Sequence, residues 1–481
     1  MTGAGRSIGP VLPPTSFETP GPPENVALLD GVIENDPSMP VKAGDHRANG
    51  SMKLPSLQSS FLWMLTGNVI YAVCQWGMLI SMAKLGTATM VGQFSLGLAI
   101  CTPVLMFTNL QLRAVLATDA KRQYWFVDYV SLRVIMTVVA SLLIFLVVTT
   151  GSYLRETAQI IAAVAASKCV ESFSDILYGL FQKEERLDKI AISFILRGIA
   201  SVGVLTAVLY KTRSAFWGFI AITFVWTLIL IAHDIPFAWK IVRRHPQEPL
   251  NKPLPFLRSL FSFARVRLRL SLVRLAFPLG IGMVLCSLNV NVPRYFVHAY
   301  MGERTLGVFS ALAYPVAAIV TVIDALGHSA IPRLAKYYSA GRLAAFRLVL
   351  LKLVSIGALV GTAGVITVMF SGSRLLSLIY RPEYSEHVNV FIWIIAGGAI
   401  GGVASLLMYG LTSARRFTIQ IVLLGLVVIT SAVCCKILIP LTALLGAAYA
   451  TVIASLVHLI AVTVVGFLMF RPQLTSGPAE P

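Results

Sequence analysis

Twelve times along the chain an apolar run of roughly 20 residues returns, the length that crosses a bilayer as a single helix. The runs lie near 61–83, 93–116, 130–150, 158–181, 189–210, 216–239, 272–297, 306–330, 347–370, 388–410, 417–439 and 444–469. Lipid offers no hydrogen bonds, so each backbone N–H and C=O in such a run must be met within the segment, and an α-helix does that. The expectation is an all-α polytopic membrane protein with about 12 transmembrane helices. A chain that is 57% apolar and only 12% charged leaves no room for a soluble fold of this length.

The fourth run breaks the rule that membrane helices are bare of charge. Between Ile160 and Asp188 it carries Lys168, Glu171 and Asp175, which fall on one stripe at helical spacing and are continued by Tyr178 and Gln182. An ionisable group near the bilayer centre costs a few kcal/mol unless it meets a partner or water, so the stripe is a candidate functional site. The plainer alternative is that Lys168 and Glu171 only neutralise each other between packed helices. Asp175 then leaves the stripe with net charge −1 unless a cation or a proton joins it. Glu171 and Asp175 are therefore the first candidates for coupling to an H+ or Na+ gradient.

The Lys and Arg residues set the expected orientation. With the N-terminal segment inside, the inner loops and helix ends collect 24 of them, Arg113, Arg133 and the cluster from Lys240 to Arg274 included, against nine outside. Both termini are expected to be cytoplasmic, and the outer loops are too short to hold a catalytic domain. The net charge of +18 is absorbed by this bias and does not require nucleic acid. Residues 1–54, rich in Pro and Gly, read as a disordered cytoplasmic tail, and 471–481 as a short C-terminal one. Residues 243–271 read as a basic amphipathic connector lying on lipid headgroups, between an N-terminal lobe at 55–242 and a C-terminal lobe at 272–470. Six cysteines, all in apolar segments without metal-ligand spacing, read as small buried hydrophobes; no metal and no cofactor is expected.

A faint internal repeat supports two six-helix lobes. The stretch from Leu85 to Ser95 is echoed, with one deletion, from Met301 to Ser310, each between the first and second span of its half. Parallel repeats about an axis along the membrane normal are a recurrent transporter plan, with substrate bound where the halves meet. Carrying the offset of Gly92 and Gly307 onward sets Asn109 opposite Asp324 and Arg113 opposite His328. Both second spans are thus expected to carry a polar pair at i, i+4. Closing the inner side should bring Arg113 toward Asp324 and His328, which makes the latter two gating candidates.

Two blocks carry a resemblance. Asn109-Leu110-Gln111-Leu112-Arg113 with Ala117-Thr118-Asp119, Phe126, Asp128-Tyr129 and Leu132-Arg133 resembles the second-span and cytoplasmic-loop signature of bacterial polysaccharide repeat-unit flippases. Lys168, Glu171-Ser172, Ser174-Asp175-Ile176, Tyr178-Gly179, Gln182 and Glu185-Arg186-Leu187-Asp188 resemble the fourth-span signature of the same family. Its superfamily also holds multidrug-and-toxin-extrusion transporters and lipid II flippases.

The resemblance implies export of an isoprenoid-diphosphate-linked oligosaccharide from the inner to the outer leaflet of the cytoplasmic membrane, by alternating access through a cationic cavity. It also implies membrane lipids as surroundings and, as protein partners, a polysaccharide polymerase and a chain-length regulator. A diphosphate leaving water needs cationic hydrogen-bond donors. Lys168, Arg197, Arg113, Arg294 and Arg274 are the candidates, with Asn109 and Gln111 beside them; for Arg113, Arg274 and Arg294 the alternative is an interface anchor that snorkels to water. Two other functions stay open: an ion-coupled multidrug or small-molecule antiporter of the same fold, and an enzyme such as a glycan polymerase, which the short outer loops disfavour. No nucleotide-binding motif is present, so an ion gradient, the membrane potential or the substrate gradient must drive transport.

Overall fold

The computed structural model describes residues 57–119, 124–244 and 266–469. The expected tails at 1–54 and 471–481 and most of the expected connector lie outside the described residues. The described chain is helical throughout. In order it forms α1 (Leu57–Leu85), α2 (Ala88–Thr108), α3 (Leu112–Thr118), α4 (Phe126–Thr150), α5 (Arg155–Lys183), α6 (Leu187–Thr212), α7 (Ala215–Ile229) and α8 (Ile235–Val242). There follow α9 (Val266–Ala313), α10 (Val316–Ser339), α11 (Leu343–Ile379), α12 (Val388–Ser413), α13 (Phe417–Thr442) and α14 (Leu444–Met469). Among the described residues ten stretches are long and apolar enough to cross a membrane on composition alone; α5 and α10, with ionisable residues in mid-helix, bring the number to twelve. In the N-terminal half α5 packs on α2, α4 and α7, and α1 on α6. In the C-terminal half α12 packs on α10, α11 and α14, and α13 on α9 and α14. The main contact between halves is α2 against α9.

Departures from straight helix each have a local cause, and several place functional groups. Leu110 and Gln111 take left-handed backbone angles, φ 49° and 51°, which end α2 and restart the chain as α3. Asn109 and Arg113 are therefore not an i, i+4 pair on one helix, contrary to the sequence expectation, whereas Asp324 and His328 do share α10. A π-helical turn at Leu230–Asp234 joins α7 to α8 and turns Asp234 into the bundle, where it is fully buried. Pro103 inside α2 cannot donate to the carbonyl of Ala99. The Tyr295 hydroxyl, from α9, donates to that carbonyl instead. A proline in one half thus creates a hydrogen-bond site for the other.

The helix α9 runs without interruption from Val266 into the seventh span, and Arg269 is buried. The last residues of the expected connector, from Val266 on, are thus the first turns of this helix. Near its other end, Gly302 (φ +80°) turns the chain, so that the segment after it crosses α2. A β-carbon on Gly92 would overlap the carbonyl of Glu303, and one on Gly307 would overlap the carbonyl of Ala88. The two glycines picked out by the repeat thus meet, in reciprocal contact, and only glycine permits so close a crossing. The same end of the bundle is tied by Trp76 Nε1 donating to Tyr380 (3.1 Å), Lys84 Nζ to the Leu378 carbonyl (2.9 Å) and Arg381 to the Lys84 carbonyl (2.7 Å). Of the cysteines, Cys101 and Cys435 are buried as expected, but Cys286 is exposed.

Candidate functional site

The stripe on α5 is the centre of a polar network inside the N-terminal half. Lys168 Nζ lies 2.6 Å from Glu171 Oε2, and the Tyr71 hydroxyl donates to Glu171 Oε1 at 3.3 Å. One turn on, Asp175 is held on both sides: Arg133 Nη2 at 3.0 Å and Arg113 Nη1 at 3.5 Å. The extra cation that the stripe required is thus supplied twice. Arg133 also donates to Ser172 Oγ at 3.2 Å and to Asn109 Oδ1, so the left-handed break after Asn109 is pinned to α4 and α5. Gln111 contributes through its backbone, whose carbonyl accepts from Ala114 and Val115 and starts α3.

A second layer lies behind the first. Arg197 donates to Asp234 Oδ2 at 3.2 Å and to Ser174 Oγ, with its guanidinium 5.4 Å from the Trp226 ring centre. Both charges are sealed, at 2% and 0% side-chain exposure, whereas Lys168, Glu171, Asp175 and Arg113 keep 24 to 32%. Arg197 in this conformation is therefore the inward anchor of the network, and the half-open face belongs to Lys168 and Arg113. Arg113 completes its shell with Gln182 (3.4 Å) and the Tyr178 ring. At the loop into α6, Glu185 adopts φ 55° and Arg186 forms a two-bond pair with Asp188 at 2.9 Å. Those bonds hold the Arg186 guanidinium above its ordinary pKa.

The C-terminal half is arranged differently. Arg294 on α9 is half-buried and donates to Asn291 Oδ1 at 2.8 Å; its Nε is buried with no partner, and no carboxylate pairs with it among the described residues. It stands eight residues before Gly302, about 12 Å along the helix. Arg274 is exposed, nearer the start of α9. On α10, Asp324 Oδ1 accepts from the Tyr409 hydroxyl at 2.9 Å, and His328 Nε2 lies 3.3 Å from the same hydroxyl. Tyr409 lies against Gly327, where a β-carbon would overlap its ring. Asp324 and His328 have no Lys or Arg partner among the described residues.

Known proteins place this arrangement. A model of polysaccharide biosynthesis proteins matches residues 57–338, which is more than half of the chain. The chain belongs to that family. A curated relative, the capsular polysaccharide biosynthesis protein CapF of Staphylococcus aureus, is 26% identical over 407 residues, covering 83% of this chain and 97% of its own. Among solved structures, the lipid II flippase MurJ in its inward closed conformation aligns with a TM-score of 0.65 at 11% identity, over 85% of this chain and 90% of that one. An inward-facing multidrug resistance MATE transporter aligns at 0.61 and 12% identity, over 85% and 97%; an outward-facing one aligns at 0.56 and 13%, over 85% and 94%. The fold is that of the superfamily named from the sequence, and this family member is a multi-pass membrane protein.

Three members of the network show their role only in the fold. Arg133, in the sequence an orientation charge and part of the family resemblance, is fully buried, and Asp234 and Tyr71, which no sequence motif marks, join Arg197 and Glu171. The signal was present: Arg133 and Asp234 are ionisable residues in apolar runs, the same anomaly that marked Lys168.

Proposed function

We propose that the protein carries an isoprenoid-diphosphate-linked oligosaccharide from the inner to the outer leaflet of the cytoplasmic membrane by alternating access. The observation that carries this is Arg294, a half-buried cation in the seventh span without a carboxylate partner among the described residues and with a buried donor unmet. Such a group calls for an anion that arrives with the substrate, and a diphosphate supplies one. Lys168 and Arg113, on the half-open face of the N-terminal network, are the groups that complete its shell; Arg274 and Gln111 lie on the approach, and Asn109 and Arg197 hold the others in place. Family membership and the name of the CapF relative support a polysaccharide pathway. In our reading the positive-inside orientation makes the tied Gly92 end the outer one, and the glycine crossing closes it. In our reading Asp324 and His328 couple transport to an H+ or Na+ gradient, and Arg113 approaches them when the inner side closes. A polymerase and a chain-length regulator are the partners such export would serve.

The test is a deletion strain complemented with wild type or Arg294→Ala. The variant should insert in normal amount, lower surface polysaccharide at least about tenfold and accumulate lipid-linked oligosaccharide, because a charge-assisted bond of about 1.5–3 kcal/mol is lost. Unchanged surface polysaccharide in the variant, or a deletion strain that becomes drug-sensitive with normal glycan, would overturn the assignment.

A further inference from the structure

Where the two halves cross, a single carboxylate stands between them. Glu303 follows the Gly302 turn and is half-buried. Its Oε2 accepts from Gln93 Nε2 at 3.0 Å, and its Oε1 accepts from the Thr157 hydroxyl. Gln93 and Thr157 are themselves 3% and 0% exposed. Both donors are neutral, and no Lys or Arg pairs with Glu303 among the described residues. In the internal repeat Glu303 occupies the position of Ala88, at the offset that relates Gly92 to Gly307. The carboxylate is therefore the point at which the crossing departs from its own symmetry.

The placement ties this group to the closed arrangement. Both donors belong to the N-terminal half, on α2 and α5, while Glu303 belongs to the C-terminal half. The backbone of Glu303 lies directly on Gly92, so the donors stay within reach only while the glycine crossing is closed. Rotating the halves apart removes both donors at once.

We infer that Glu303 is the latch of the outer gate: a positioning residue whose carboxylate holds the halves together at the Gly92 end and releases them when the transporter opens outward. The inference rests on the alternating-access reading above. Gln at 303 presents an amide nitrogen where the carboxylate accepts, so at least one charge-assisted bond is lost. The open-to-closed ratio then rises about tenfold or more.

The experiment uses the full chain in oriented vesicles with the six native cysteines replaced. Ala88→Cys, buried at the crossing, reports from the Gly92 end with a membrane-impermeant maleimide, and Ser329→Cys, exposed on α10, reports from the other side. Glu303→Gln should speed labelling at position 88 about tenfold and slow it at 329; the double change Gln93→Ala with Thr157→Val, which leaves the carboxylate in place, should do the same. Faster labelling at both positions means loosening of the fold and overturns the latch. Unchanged labelling at 88 in both variants overturns it as well, even where the deletion strain fails to export glycan. Opposite shifts at the two positions uphold the latch, and they do so even if the glycan phenotype removes the proposed substrate.

Discussion

The two halves share a helical plan and spend their charges in opposite ways. In the N-terminal half Glu171, Asp175 and Asp234 each have a cation within 3.5 Å: Lys168, Arg133 with Arg113, and Arg197. In the C-terminal half, among the described residues, Arg294 has only Asn291, and Asp324 has only Tyr409 and His328. A charge neutralised inside its own lobe stabilises that lobe and is costly to disturb. One left without a counterion can take it from a ligand. The difference teaches that the charged stripe, the most conspicuous feature of the sequence, is chiefly a frame, and that the groups with unmet demand lie in the other half.

The largest expected effect tests the frame. Asp234→Ala leaves Arg197 buried and unpaired, which should cost about 3–5 kcal/mol, read as a lower midpoint for unfolding in detergent. A variant as stable as wild type would break the contrast, because the pair would then not be structural. Next, Asp324→Asn should change stability by less than about 1 kcal/mol, since its partners are a hydroxyl and an imidazole. It should nevertheless abolish the response of transport to an imposed H+ or Na+ gradient in vesicles. If that response survives in full while Glu171→Gln removes it, coupling belongs to the N-terminal half and the comparison must be reversed. The smallest effect on transport is that of Tyr409→Phe, which removes one hydroxyl and keeps the ring on Gly327. Stability should fall by about 0.5–1.5 kcal/mol, with the gradient response weakened and retained. A complete loss would make the hydroxyl itself part of the ion path.

The repeat shows how far one sequence comparison reaches. Gly92 and Gly307 were matched by pattern and meet in space, because two rods related by an axis must cross near it and only glycine lets backbones touch. Seventeen residues on, the same offset pairs residues in unlike backbone. Asn109 and Asp324 are opposite numbers in sequence, yet the first sits at a left-handed break and the second inside a helix. Nothing in Asn109-Leu110-Gln111 forbids a helix. The break depends on Arg133 and Ser172, which arrive from other helices to hold Asn109.

The sequence by itself determined the solvent, the helical class, the number of spans and the presence of ionisable groups inside them. Each follows from a local requirement: a bilayer-length apolar run must satisfy its own backbone, and a charge within it must be accommodated. Only the tertiary structure decided which charges are satisfied. Pairing depends on which helix faces which, and Arg133 with Asp175 or Arg197 with Asp234 are 42 and 37 residues apart in the chain. Arg294 looks no different from them in the sequence. It is set apart by the absence of any carboxylate packed within reach among the described residues, a property of its neighbours and of no residue alone.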